Sequence, residues 1–125
     1  MDNPNHFHYF GIMKMKDALA ALSGLGHESR LTAFRHLVQA GPAGMSVGEL
    51  RERLGLPPAT LTAHLNVLRS AGLIRDQREG RVIRVRANYN QMNALIDYLT
   101  EHCCAGSTAC DPASMCIPRT PGVKP

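Results

Sequence analysis

The chain has no tryptophan, three tyrosines, three phenylalanines, and no cysteine before position 103. With so few aromatics, any core in this 125-residue chain must be filled by aliphatic side chains. No apolar run approaches the length of a membrane span. Phe7–Met13 is apolar but short, and no basic segment precedes it, which argues against a secretory signal. The expectation is a cytoplasmic protein without membrane contact, in which disulfides are not the resting state and thiols are available as ligands. No internal repeat is present. No C-x-x-C occurs, which argues against a thioredoxin-like thiol enzyme. Gly44-Met45-Ser46-Val47-Gly48 fits G-x-S-x-G, but a nucleophile elbow needs a preceding strand and a large sheet. Glycines and Pro42 stand before this one, and the chain is too short for that fold. No enzyme is expected.

What is present centres on Pro57–Leu73. Leu61, Leu65 and Leu68 fall at i, i+4 and i+7, one face of a helix. Thr60, Thr62, Ala63 and Asn66 fall mostly on the other face, which is small, polar and nearly uncharged. A merely solvated helix carries Glu and Lys there, whereas small polar and methyl-bearing groups suit a helix lying against base edges in a major groove. Pro57 and Pro58 open the helix, where a missing N–H costs nothing, and Gly72 closes it. The charge agrees. The net charge is +4, but His27–Arg86 alone carries ten Arg against five acids. A localised arginine surplus is the footprint of a phosphate-bearing partner.

The flanks complete a motif. Residues 1–12 read as a loose arm containing His6 and His8. Met15, Ala18, Leu19 and Leu22 predict a short helix over about Lys14–Leu22, and Leu31, Phe34, Leu37 and Val38 predict a second over Glu28–Ala40. A third covers Val47–Leu54, with Ser46 and Glu49 at capping-box spacing. Two short helices joined through Gly55 make a helix-turn-helix. Val82–Arg86 alternates as a strand does, and Glu79-Gly80 sits where a hairpin would turn. Arg78, Arg81 and Arg84 make this hairpin a basic wing suited to phosphate or the minor groove. The candidate DNA contacts are therefore these three together with Thr60, Thr62, Ala63, His64, Asn66 and Arg69 of the recognition helix. The fold class is mainly α with a β-hairpin, a homodimeric winged helix-turn-helix. Its domain spans 13–104. A last helix from Asn88, with Gln91 in a capping-box position, carries Met92, Leu95, Ile96, Leu99 and Cys103 at helical spacing. That stripe needs a surface outside the core, and a partner's matching helix provides one, with the first helix beside it.

Four cysteines crowd the end of the chain: Cys103, Cys104, Cys110 and Cys116. They lie at a helix end and in a polar tail over 105–125, not in an apolar stripe. Cys103, Cys104 and Cys110 can reach one ion, provided Cys104 leaves helical geometry, because adjacent helical side chains diverge by about 100°. Soft thiolates choose soft ions. Three sulfurs suit trivalent arsenic or antimony, whose lone pair fills the fourth position. Zinc would need a fourth ligand, from Cys116 or His102.

The chain resembles the ArsR/SmtB winged-helix repressors, over about Met15–Cys110. The resemblance rests on Leu25-Gly26-His27-Glu28-Ser29-Arg30-Leu31, Met45–Leu50, His64-Leu65, Ala71-Gly72-Leu73 and Arg78-Glu79-Gly80-Arg81. Leu99-Thr100-Glu101-His102-Cys103-Cys104 is similar to the subgroup that binds As(III) at the end of the last helix, with Cys110 fitting the third ligand. Many arsenic repressors instead carry C-x-C in the third helix, and Val47–Leu54 has no Cys. The resemblance implies a homodimer that holds its operator until a thiophilic inducer binds: arsenite, methylarsenite or Sb(III). The alternative is a redox- or persulfide-sensing repressor of the same fold, through oxidation of Cys103 with Cys104 or Cys110.

Overall fold

Local sequence signals set most element boundaries. The computed structural model describes residues 13–103. The elements are α1 (Met15–Leu25), α2 (Glu28–Ala40), β1 (Met45–Ser46), α3 (Val47–Leu54), α4 (Pro58–Ser70), β2 (Ile74–Glu79), β3 (Val82–Ala87) and α5 (Tyr89–Thr100). α2 and α3 have the expected bounds. The α3 capping box forms in both directions: Glu49 N–H donates to Ser46 Oγ at 3.1 Å and Ser46 N–H to Glu49 Oε1 at 2.9 Å. Gly55, in left-handed conformation, ends α3 and turns the chain into α4.

α4 ends in a Schellman motif. Leu73 N–H donates to Leu68 O and Gly72 N–H to Arg69 O, with Gly72 at φ 76°. The hairpin pairs Ile74 with Ala87 through Glu79 with Val82, so its two-residue turn is Gly80-Arg81, one residue beyond Glu79-Gly80. β1 pairs with the far edge of β3, Met45 opposite Val85, giving a sheet of order β1-β3-β2. Gly44 makes this possible: a Cβ there would stand 2.1 Å from Val85 O, and its φ is +68°. The inward face of β2 and β3 supplies Ile74, Val85 and Ala87 to a core shared with Leu37, Leu50, Leu61, Leu65 and Leu68.

Three apolar faces divide between core and solvent, with Leu31 of α2 and Leu95 of α5 placed otherwise than expected. α1 buries Ala18, Ala21 and Gly24, while Met15, Leu19 and Leu22 are exposed. Small residues let α1 approach closely, and a Cβ on Gly24 would lie 3.6 Å from that of Ala71. In α2, Ala33 joins Phe34 and Leu37 in the core, and Leu31, on a flank of that face, is exposed. In α5, Ala94 and Leu95 are buried whereas Ile96 and Leu99 are exposed. α1 and α5 touch each other, and each presents large apolar side chains to solvent.

The first turn of α5 is fastened to the end of α4. Asn88 N–H donates to Leu73 O and Asn88 Nδ2 to Gly72 O, both at 2.8 Å. Gln91 does not complete a capping box. Its backbone N–H donates to Asn88 Oδ1, but its side chain is fully buried and donates from Nε2 to Ala71 O at 3.3 Å. A buried amide takes the nearest acceptor, here a carbonyl left over at the end of α4. The Tyr89 hydroxyl donates to Val38 O at 2.9 Å, tying the same turn to α2.

Candidate nucleic-acid interface

α4 buries Leu61, Leu65 and Leu68 and so turns Thr60, Thr62, Ala63 and Asn66 to solvent, as the leucine spacing requires. No side chain caps its N-terminus and its first turn carries no acid, so its N–H groups and positive dipole end are open to a phosphate. A notch runs between this helix, the start of α3 and the wing. It is lined by Ser46 and Gly48, by Thr62 and Arg69, and by Asp76 and Arg81. Arg78 and Arg81 are exposed on the wing, and no ion pair among the described residues neutralises them.

Three of the expected DNA contacts stand in other surroundings. Arg84 is not a free wing arginine. Its Nε donates to Ala43 O and its Nη2 to Gly44 O, each at 3.0 Å, with Glu49 at 3.9 Å. It sits opposite Ser46 in the β1–β3 ladder, so its side chain covers the loop leading into β1. His64 lies on the side of α4 facing α2, its ring centroid 4.6 Å from that of His27, whose Nδ1 accepts the Ser29 N–H as the cap of α2. Desolvation, and then the charges of His27 and Arg30, hold the His64 pKa below the ordinary value of 6.5. Arg69 is on the exposed side but already engaged: Nη1 donates to Asn66 Oδ1, and Nη2 to Asp76 Oδ1 at 3.0 Å. Asp76 was not anticipated. Only the hairpin register, which puts it opposite Val85 on the face turned toward α4, could have shown it. The register also sets Arg75 directly across from Arg86, a second basic pair that strand alternation alone does not locate.

Of the candidate thiols, Cys103 lies within the described residues and is exposed. The helix does not reach it. α5 ends at Thr100, His102 has φ 59°, and Cys103 N–H donates to Thr100 O in a turn. Cys104 and Cys110 lie outside the described residues, as do Cys116, the arm and the whole tail.

An arginine-edged notch beside an uncapped, acid-free recognition helix defines a winged helix-turn-helix DNA-binding protein. Residues 25–77 match the family model described as a helix-turn-helix domain. The chain is 33% identical over 89 residues, 71% of its length and 88% of the relative's, to the HTH-type transcriptional regulator YgaV of Escherichia coli K12. It is 36% identical over 84 residues, 67% of its length and 69% of the relative's, to the biofilm growth-associated repressor of Agrobacterium fabrum. Among solved structures, an ArsR-like transcriptional regulator from Rhodococcus sp. RHA1 superposes with TM-score 0.60 at 28% identity, over 67% of this chain and 76% of that one. HlyU from Vibrio cholerae does so with TM-score 0.55 at 28% identity, over 74% and 99%. The homodimeric winged helix-turn-helix domain Mb0332 of Mycobacterium bovis shares the fold, with TM-score 0.56 at 22% identity over 70% and 82%. The chain belongs to the ArsR-like family of winged helix-turn-helix transcriptional regulators. It is a regulator and not an enzyme.

Proposed function

We propose that this regulator is a homodimeric repressor of an arsenic-resistance operon, released from its operator when trivalent arsenic binds Cys103, Cys104 and Cys110. The observation that carries the sensing half is the end of α5 at Thr100. On an intact helix adjacent thiols diverge by about 100°. Cys103 already stands on non-helical backbone, so no helical turn has to unwind before Cys104 converges with it. Arsenite and Sb(III) take three thiolates, and methylarsenite takes two. The dimer half is supported by Met15, Leu19, Leu22, Ile96 and Leu99, which leave two helices with large apolar groups in solvent. Pairing these faces between two copies sets the recognition helices about 34 Å apart, one turn of duplex, on an imperfect palindrome. Thr60, Thr62, Ala63 and Asn66 then meet base edges, and Arg78 and Arg81 meet phosphates. No helix among the described residues is long and apolar enough to cross a membrane, which agrees with a cytoplasmic repressor.

A second reading keeps the DNA binding and makes the thiols a redox or persulfide switch. It is favoured by one comparison: the reduced form of HlyU from Vibrio cholerae superposes with TM-score 0.52 at 25% identity, over 69% of this chain and 90% of that one. A persulfide donor, reduced to its thiol and sulfide as it takes the two electrons, would oxidise Cys103 and Cys110 to a disulfide, because a ring closed by adjacent cysteines is strained.

Titrating the operator complex with arsenite under reducing conditions, and separately with a persulfide donor, separates the two. Arsenite is expected to release the wild type, and serine at Cys103, Cys104 or Cys110 to leave binding intact and abolish release. Cys116→Ser is expected to remain inducible. Release by arsenite from a Cys103→Ser/Cys104→Ser double variant refutes the proposal. Release by the persulfide donor alone establishes the second reading.

A further inference from the structure

Asn66 and Arg69 lie one turn apart on the exposed side of α4, and Asp76 reaches Arg69 from β2. Arg69 Nη1 donates to Asn66 Oδ1, and Arg69 Nη2 donates to Asp76 Oδ1 at 3.0 Å. Arg69 Nε is buried without a partner, so the stem of this side chain lies inside the notch while its tip is bound on both sides. An asparagine amide has an accepting oxygen and a donating nitrogen. An asparagine reading adenine uses both, the oxygen accepting from N6 and the nitrogen donating to N7. Here the guanidinium occupies the oxygen, and its charge opposes a second donor there. What remains is the NH2 group.

We infer that Asp76 and Arg69 hold Asn66 as a donor-only reader and thereby set one base of the operator half-site. They are positioning residues; Asn66 is the one that touches DNA. The inference rests on the reading that α4 enters the major groove. Guanine offers two acceptors there, O6 and N7, and matches the two hydrogens of Nδ2. Cytosine presents a donor, N4–H2, and is rejected. Adenine and thymine offer one acceptor each to such a reader. The charge on Arg69 is balanced locally by Asp76, so this arginine adds no phosphate contact.

The test is selection of binding sites by the full chain from a randomised DNA duplex library. It compares wild type, Asn66→Ala, Arg69→Ala and Asp76→Asn, each checked for an intact fold by thermal melting. The wild type is expected to select guanine at one position per half-site, and Asn66→Ala to lose that preference. In Arg69→Ala and Asp76→Asn the same position, and no other, moves toward adenine by about fivefold or more in relative affinity, the lower end of a bidentate base contact. A merely structural role would weaken every sequence alike. The slope of log affinity against log salt is expected to be unchanged by Arg69→Ala. Adenine preference in the wild type, or an unchanged profile in either Arg69→Ala or Asp76→Asn, overturns the inference. So does a slope reduced by about 0.9 per subunit, the value of one phosphate contact, because Arg69 would then have left Asn66 for the backbone. A wild type that selects no sequence refutes groove reading itself, whereas a wild-type motif untouched by the variants refutes only this pair.

Discussion

Removing Arg84 and removing Arg81 should have opposite signatures, although both are arginines of one strand pair and its turn. Arg84 donates two hydrogen bonds from a charged group to the carbonyls of Ala43 and Gly44. Such bonds are worth about 1.5–3 kcal/mol each when well shielded. This side chain retains 28% of its exposure, so about 2 kcal/mol for the pair is a fair discounted figure. The Glu49 contact at 3.9 Å adds little, because Glu49 is solvated. In a small domain roughly 4–8 °C of Tm accompanies each kcal/mol, so Arg84→Ala should lower Tm by about 8–16 °C at matched protein concentration. Its effect on the salt dependence of DNA binding should be nil. Arg81 lies in the hairpin turn with no ion pair among the described residues. Arg81→Ala should leave Tm within about 4 °C, since surface substitutions away from special features usually stay within about 0.5 kcal/mol. It should reduce the salt slope by about 0.9 per subunit. Thermal melts and binding isotherms at four salt concentrations measure both quantities. An Arg84→Ala protein with wild-type Tm and a flattened slope would refute the division of labour.

Leu19→Glu with Leu99→Glu changes two exposed residues and should give a folded monomer by light scattering, with operator affinity sharply reduced; a persistent dimer would show that this face is not the interface. Leu95→Glu is unsuitable for that purpose because Leu95 is buried within the protomer. The lowered pKa of His64 means that the unfolded chain binds its proton first as pH falls. Its contribution to stability is whole above the ordinary value of 6.5 and is lost as pH drops toward the folded pKa. His64→Gln should therefore lose less stability than wild type between pH 7.5 and 5.5, and parallel Tm curves for the two would dispose of that account.

The readable parts of this fold were those encoded locally. The Ser46–Glu49 box fixed the start of α3, and Pro57-Pro58 with Gly72 bracketed α4, because capping and chain-reversal chemistry act over a few residues. β1 was not readable: two residues have no period, and their pairing depends on Val85, far along the chain. The inward face of α1 was not legible, because Ala18, Ala21 and Gly24 give a weak hydrophobic signal while the large residues face out. Gln91 carried a capping signature, but a buried acceptor at Ala71 claimed its side chain. The candidate interface was legible as a set of exposed positions on α4. Which of its polar groups are already spoken for was not, since Arg69, His64 and Arg84 meet their partners through tertiary packing. The three-thiol site falls largely on residues 104–110, outside the described part of the chain.

The fastening of α5 to the end of α4 gives the last helix a pivot. Asn88 and Gln91 together hold the carbonyls of Ala71, Gly72 and Leu73, so the fulcrum lies at the root of the recognition helix. From there α5 extends 12 residues, an arm of about 18 Å, toward Cys103. The 13 residues of α4 extend about 20 Å from the same point. The two arms are nearly equal, so the linkage has a mechanical advantage near one. If the two helices turned about this point as one body, a movement of about 1 Å at the end of α5 would displace the tip of α4 by about the same amount. Hydrogen bonds to base edges span only about 0.5 Å of usable distance, from 2.7 to 3.2 Å. A displacement of about 1 Å exceeds that span, so even a small shift at the end of α5 is already large at a base edge.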